Sequence, residues 1–189
     1  MTKDYFAVLD ACVLVPAALR DTLLRLAKTP RLYIPKWNNE IIAEMRRTLI
    51  KKLNKTEEQA DHLISELEKV FPEAWAGPCK DLEAALTNHE KDRHVLATAT
   101  RSSAQTIVTF NLKHFSPDIL KLYDVEALHP DEFLVNQFYL DAGLVIKKFS
   151  EQAATVERTV EEQLSAFHRT RVLPLFTQTL ADAFGIKPF

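Results

Sequence analysis

Short apolar runs alternate with longer segments of helical periodicity through the first 140 residues of the chain. The apolar runs predict strands over residues 5–10, 105–110 and 125–128, because each run is too short for a helix. Residues 31–35 predict a further short strand or an extended entry. Amphipathic stripes predict the intervening helices, over residues 13–29, 37–53, 55–71, about 91–102 and 129–140. Strands that alternate with helices favour an α/β layered fold with a central, mainly parallel sheet.

Local signals mark the ends of several predicted helices. Asn38 or Asn39 suits the N-cap position of the second helix, and Thr56 gives the cap signal of the third. Pro16 is tolerated if it lies in the first turn of the first helix. Residues 72–81 contain two Pro and one Gly and predict a loop.

Beyond residue 140 the pattern is helical. A sustained stripe of 3.5 to 3.6 periodicity runs through seven apolar positions, Val145, Phe149, Ala153, Val156, Val160, Leu164 and Phe167. A shorter helix over 173–184 ends before Gly185, which suits a C′ glycine. We therefore predict an α/β domain over residues 1–138 and a C-terminal helical extension over 139–189. The extension either packs on its own core or offers a surface for self-association or for another protein.

Composition limits the class of protein. The chain has 189 residues, of which 47% are hydrophobic, and only three Gly, so we expect one main globular domain. No basic leader precedes a longer apolar segment, and no apolar run reaches membrane-spanning length. A cytoplasmic protein without membrane association is therefore expected. Cys12 and Cys79 lack metal-type spacing, so we interpret them as reduced thiols and not as zinc ligands.

Charge is distributed unevenly, although the net charge is only −2. Residues 20–55 carry ten basic and three acidic side chains, whereas residues 56–92 carry ten acidic and three basic ones. This pattern fits a basic surface that attracts phosphates, and it equally fits two solvated helical faces of opposite sign.

Polar side chains lie at the ends of two predicted strands, at the start of one predicted helix and at the edge of the buried face of another. Asp10 ends the first strand, and Asn111 lies just past the strand of 105–110. Asp92 opens the helix before that strand, and Glu44 lies at the edge of a buried helical stripe. Function in parallel sheets gathers at the carboxyl ends of the strands, so these four oxygen-bearing side chains predict a Mg²⁺ or Mn²⁺ site. Each has a simpler alternative, for example helix capping by Asp10 or pairing of Glu44 with Arg47.

Four segments in order, "VLDACVLVPA", "WNNEIIAEM", "EKDRHVLATA" and "IVTFNLKHF", resemble the signature segments of PIN-domain ribonucleases, and within them the bacterial and archaeal toxin-like, VapC-type subgroup. The resemblance covers roughly residues 5 to 135. It implies a three-layer α/β/α, flavodoxin-like fold and a Mg²⁺- or Mn²⁺-dependent nuclease site. The implied catalytic and metal-ligating residues are Asp10, Glu44, Asp92 and Asn111. Thr109, His94 and His114 are expected to contact these ligands or the scissile phosphate.

The resemblance also implies the reaction and the partners. RNA phosphodiester bonds would be hydrolysed by a water whose pKa the bound ion or ions lower, which leaves a 5′-phosphate and a 3′-hydroxyl. Four basic residues that follow Glu44 are placed to guide the RNA backbone, namely Arg46, Arg47, Lys51 and Lys52. The C-terminal helical extension offers the surface on which a cognate antitoxin, or a second copy of the chain in a homodimer, is expected as a partner.

Two departures from the family pattern weigh against efficient turnover. His89 and His114 occupy positions where sequences of this subgroup often carry an Asp. The lost negative charge should weaken binding of a second metal ion, although His114 can instead contact the scissile phosphate. The alternative hypothesis is therefore a catalytically weak PIN-fold module that binds RNA or protein.

Overall fold

A computed structural model of the protein describes residues 4–187. These residues form two compact units. The first comprises residues 4–17 and 33–128, and the second comprises residues 18–32 and 129–187. The predicted boundary after residue 138 remains a prediction, and it falls within a helix that spans Pro130–Leu140.

The first unit contains a four-stranded, all-parallel sheet. Its strands, in chain order, are β1 (Phe6–Leu9), β2 (Ile34–Lys36), β3 (Thr106–Val108) and β4 (Glu126–Leu128). They are arranged in the order β2-β1-β3-β4, so β1 and β3 are the central neighbours, with Leu9 beside Val108. The apolar runs predict β1, β3 and β4, each of which is shorter than its run, and β2 overlaps the segment 31–35, for which a short strand or an extended entry is predicted. The sheet and its helices confirm the predicted α/β/α fold class with a helical C-terminal extension.

Eleven α-helices are found among the described residues: α1 (Ala11–Leu14), α2 (Ala17–Leu26), α3 (Asn39–Leu53), α4 (Glu57–Val70), α5 (Lys80–Glu83), α6 (Arg93–Ser102), α7 (Pro117–Leu120), α8 (Pro130–Leu140), α9 (Ala142–Thr155), α10 (Val160–Thr170) and α11 (Pro174–Phe184). The predicted caps are confirmed. The Asn38 side chain accepts a hydrogen bond of 2.9 Å from the Ile41 amide at the start of α3. Thr56 and Gln59 form a reciprocal capping box at the start of α4, a motif whose cap contributes about 1 kcal/mol.

Two predicted helices are each divided in the structure. The segment 13–29 is not one helix, because α1 ends at Leu14 and α2 begins at Ala17, with Pro16 between them. Proline has no amide proton for the next helical bond, so it separates the two helices. The apolar stripe of 145–167 is likewise divided between α9 and α10, because Glu157 has a positive φ of 53° and Thr159 starts a new capping box with Glu162.

Short helical turns occur where a loop or a longer helix is predicted. The predicted loop 72–81 contains a 3₁₀ turn at Pro72–Ala74 and the beginning of α5. The helix predicted from about residue 91 begins as a 3₁₀ turn, Glu90–Asp92, and continues as α6. This change of helix type places Asp92 at the junction of the two elements.

The second unit contains most of α2 together with α8, α9, α10 and α11. Phe149 is fully buried and makes edge-to-face contacts with Phe167 and Phe176, at centroid distances of 5.6 and 6.3 Å. The buried carboxylate of Asp131 accepts hydrogen bonds from the amides of Leu175 and Phe176 at the start of α11. It thereby supplies the cap that Leu173, at the N-cap position, lacks.

Among residues 4–187, no helix combines the length and the apolar character that crossing a membrane requires.

Candidate metal and catalytic site

Asp10 is fixed at the carboxyl edge of the two central strands. Its amide donates to the Val108 carbonyl at 3.2 Å, and its side chain is buried, with 3% of the residue exposed. The Thr109 hydroxyl donates to Asp10 Oδ2 at 2.6 Å, and in turn accepts from the Asn111 amide at 3.0 Å. The predicted residues Asp10, Thr109 and Asn111 are therefore joined by one continuous chain of hydrogen bonds.

Cys12 is a member of this site that the sequence analysis missed. Its Sγ donates to Asp10 Oδ2 at 3.1 Å, lies 3.4 Å from the Thr109 hydroxyl and accepts from the Phe110 amide at 3.3 Å. Burial and, to a smaller extent, the negative charge of Asp10 raise the pKa of Cys12 to about 12, so the thiol keeps its proton. The available signal was its position two residues after the strand-terminal Asp10, in the first turn of α1. Both cysteines are free thiols, as predicted.

Glu44 reaches the site from α3, where it is paired with a histidine on α6. His94 Nε2 lies 3.6 Å from Glu44 Oε2, and His94 is buried with 7% of the residue exposed. Proximity to His94 lowers the pKa of Glu44, and Arg47 contributes in the same direction. Burial opposes the charging of His94, but Glu44 raises its pKa overall. The Asn38 side chain donates to the His94 carbonyl at 3.4 Å, which ties the start of α3 to α6.

Asp92 belongs to a third contact set, with His89 and His114. The residue is buried, with 7% exposed, and its side chain does not cap α6. Its Oδ2 lies 2.7 Å from His114 Nδ1 and 3.6 Å from His89 Nδ1. The two imidazole rings are stacked, with centroids 4.1 Å apart and planes inclined by 11°. Both positions at which the family pattern often has an Asp therefore contact Asp92.

One pocket of about 380 Å³ brings the four predicted ligands together. Its lining includes Asp10, Glu44, Asp92 and Asn111, beside Cys12, Thr48, Arg47 and Lys52. Burial raises the pKa of Asp10, and the charges of Asp92 and Glu44 raise it further, although hydrogen bonds from Thr109 and Cys12 oppose this rise. Carboxylates that repel one another in a water-accessible pocket, with a carboxamide beside them, fit a hard divalent cation.

The four predicted RNA-binding residues lie in different surroundings. Arg47 and Lys52 line the pocket. Arg46 forms ion pairs with Asp61 and Glu57 of α4 instead, at 2.6 and 3.2 Å. Lys51 is exposed and is absent from the described lining of the pocket. The structure thus brings two of the four side chains to the carboxylates.

The family profile described as PIN domain matches residues 7–113, which is more than half of the chain. The chain belongs to the PIN-domain family. The matched segment contains all four residues predicted as ligands and ends one residue before His114.

A curated relative of this PIN-domain protein comes from Mycobacterium tuberculosis (strain ATCC 25618 / H37Rv) and is named "Putative ribonuclease VapC50". It is 58% identical over 67 residues, which are 35% of the present chain. The match spans 40% of the length of the relative.

Proposed function

We propose that this PIN-domain protein is a metal-dependent endoribonuclease that hydrolyses phosphodiester bonds of RNA. The observation that carries the proposal is the convergence of Asp10, Glu44 and Asp92 on one pocket, together with Asn111. Basic side chains at the same pocket suit a polyanionic substrate, since Arg47 and Lys52 can neutralise backbone phosphates. The name of the relative, a ribonuclease, supports RNA as the class of nucleic acid.

Asp10, Glu44 and Asp92 would hold Mg²⁺ or Mn²⁺, with the Asn111 carboxamide completing the ligand set. When bound, such an ion supplies charge neutralisation at the phosphate and lowers the pKa of a water. The protein's own contribution is positional. Thr109 and Cys12 hold the Asp10 carboxylate through Oδ2. Asn111 would orient the attacking water or complete the ligand set. His94 Nε2 lies 3.6 Å from Glu44 Oε2 and lowers the pKa of Glu44, which favours its charged form.

The biological role in this proposal is that of the toxin in a toxin–antitoxin pair. Support comes from the family and from the VapC name of the partial relative. An antitoxin protein would then be a partner, and a homodimer remains part of the proposal. The activity would take place in the cytoplasm, where the RNA substrate is found.

A second candidate function is a PIN-fold module that binds RNA or protein with little catalysis. The contact between His114 and Asp92, at 2.7 Å, favours it, because a hydrogen bond from an imidazole withdraws one carboxylate oxygen from metal binding. Asp10 and Glu44 are unaffected by this contact.

RNA cleavage with end mapping separates the two functions. We expect the wild type to cleave total RNA in the presence of Mn²⁺ and to stop when EDTA is added. Asp10→Asn should reduce the rate of cleavage by roughly a hundredfold or more, because it removes the negative charge of a proposed metal ligand. His62→Gln, on the exposed face of α4, is the matched control and should cleave normally. Binding without cleavage by the wild type would establish the module, and equal cleavage by Asp10→Asn would assign the activity to a contaminant.

The thermal stability of Asp10→Asn shows whether lost activity reflects the site or unfolding. The pKa of Asp10 is raised above its ordinary value of 3.8, so the folded chain holds this proton more tightly than the unfolded chain does. The metal-free wild type therefore loses stability as pH rises through the raised pKa. Asparagine cannot ionise, so at neutral pH the metal-free variant should melt at least as high as the wild type. Added Mn²⁺ should raise the melting temperature of the wild type alone.

A further inference from the structure

The set of His89, Asp92 and His114 differs chemically from the oxygen ligands across the pocket. One ligand atom of each of the three residues lies within 4.8 Å of the other two. Two are imidazole nitrogens and one is a carboxylate oxygen. Imidazole is a ligand that Zn²⁺, Co²⁺ and Ni²⁺ accept readily, whereas Mg²⁺ prefers oxygen.

The spacing of these atoms is close to that of a tetrahedral site. With metal–ligand bonds of about 2.0 to 2.1 Å, the ligand atoms of such a site are about 3.3 Å apart. The distances from Asp92 Oδ2 to His114 Nδ1 and His89 Nδ1 are 2.7 and 3.6 Å, on either side of that value. The two rings are stacked with planes inclined by only 11°, so they cannot both point at one ion as they stand, and the exposed His89 ring would have to turn out of the stack to complete the site.

The backbone around the two histidines is already held in place. The His114 amide donates to the Asn111 carbonyl at 2.9 Å, in the 3₁₀ turn that follows β3. On the other side, the Arg93 side chain donates to the Asn88 carbonyl at 3.4 Å, next to His89. His89 Nδ1 accepts a long hydrogen bond of 3.3 Å from the Lys91 amide, and a metal ion at this nitrogen would replace that bond.

The side chains combine burial with access. Asp92 has 10% of its side chain exposed, His114 has 23% and His89 has 45%. A buried carboxylate beneath two partly exposed imidazoles leaves an approach from solvent on the histidine side. Three protein ligands also leave a fourth position open for water or for a phosphate oxygen.

We propose that His89, Asp92 and His114 form a transition-metal site that takes Zn²⁺ or Co²⁺ in preference to Mg²⁺. The inference rests on the proposed function, because Asp92 is also one of the proposed oxygen ligands. Binding of Zn²⁺ to the two imidazoles can nevertheless be tested without RNA cleavage. Asp10 and Glu44 thus offer hard oxygen ligands in the pocket, and Asp92, which lines the same pocket, also belongs to the set with the two imidazoles.

Calorimetric titration of tag-free protein with Zn²⁺ tests the site, with the visible absorption of bound Co²⁺ as a second measurement. The wild type should bind one Zn²⁺ at this site, and His89→Gln and His114→Gln should each weaken that binding by at least about tenfold. Tetrahedral coordination intensifies the Co²⁺ bands, and the double histidine variant should lose this intensity. His62→Gln, which changes an exposed histidine of α4, should bind Zn²⁺ as the wild type does.

A variant carrying both Asp10→Asn and Glu44→Gln separates this inference from the nuclease proposal. It removes the charges of two carboxylate ligands in the pocket. The variant should therefore lose Mn²⁺-dependent cleavage but keep the Zn²⁺ affinity. Unchanged Zn²⁺ binding in the two histidine variants would overturn the inference, as would loss of that binding in the Asp10→Asn, Glu44→Gln variant. Cleavage by the wild type without Zn²⁺ binding would refute the inference alone, and Zn²⁺ binding without cleavage would refute the nuclease alone.

Discussion

The Asp10 side and the Asp92 side of the pocket hold their carboxylates by different means. Asp10 receives hydrogen bonds from neutral donors, the hydroxyl of Thr109 and the thiol of Cys12, which are fixed next to the ends of β3 and β1. Asp92 is contacted by the imidazoles of His89 and His114, which lie in short turns. Neutral donors leave the charge of Asp10 available to an ion, whereas imidazoles compete for Asp92 or become ligands themselves. The two sides should therefore respond differently to substitution and to the choice of metal.

Thr109→Val tests the Asp10 side through a residue that is not itself a predicted metal ligand. Valine has nearly the same shape but cannot donate the 2.6 Å hydrogen bond to Asp10 Oδ2. Loss of a partner that orients a metal ligand costs about 10 to 100-fold in metal affinity. We expect that decrease for Mn²⁺, measured by calorimetry.

Cys12→Ser is the matched control on the same carboxylate. Serine can still donate to Asp10 Oδ2, so Mn²⁺ affinity should stay within a few-fold of the wild type. A Thr109→Val protein that binds Mn²⁺ as tightly as the wild type would show that the hydroxyl only fills space.

Substituting Asp for His89 and His114 together tests the other side of the pocket. Carboxylates would replace the imidazoles around Asp92, so the preference should move from Zn²⁺ towards Mn²⁺. We expect Zn²⁺ affinity to fall by at least about tenfold, as when a ligand is lost, and Mn²⁺-dependent RNA cleavage to rise several-fold. Parallel titrations with the two ions and a cleavage assay provide the measurements.

Substitution by Asn at the same two positions separates the effect of charge from that of ligand geometry. The Asn variant should lose Zn²⁺ binding without the gain in cleavage. If the Asp variant cleaves RNA no faster than the wild type, the two histidines do not limit turnover, and the family departure has no catalytic cost.

The parts of the site that the sequence predicts are those that depend on one strand or one helix. Asp10 and Asn111 follow from strand ends in a parallel sheet, and Glu44 follows from its place at the edge of the α3 stripe. Asn38 and Thr56 follow from local capping chemistry. These are short-range properties, and all of them are visible in a single segment.

Contacts between segments distant in sequence could not be read in the same way. The pairing of Glu44 with His94 depends on the packing of α3 against α6, and the contact of His114 with Asp92 joins residues 22 positions apart. The spacing of the two cysteines indicates only whether they can share a zinc ion, so it does not reveal Cys12 as a thiol donor to Asp10. The division of the apolar stripe into α9 and α10 at Glu157 is different, because its signal is local: Thr159 and Glu162 form a capping box that is visible in the sequence.

The smallest expected effect concerns the basic residues beside the pocket. Lys52 lines the pocket, whereas Arg46 forms ion pairs with Asp61 and Glu57 of α4. Lys52→Ala should weaken binding of single-stranded RNA a few-fold and lower the slope of its salt dependence by about one unit, as for the loss of one phosphate contact. Arg46→Ala should leave that slope unchanged, because the guanidinium is already neutralised by two carboxylates.

Fluorescence anisotropy at several salt concentrations, with a catalytically inactive Asp10→Asn background, gives both slopes. Equal losses for the two variants would mean that RNA follows α3 as a whole and not the rim of the carboxylate pocket.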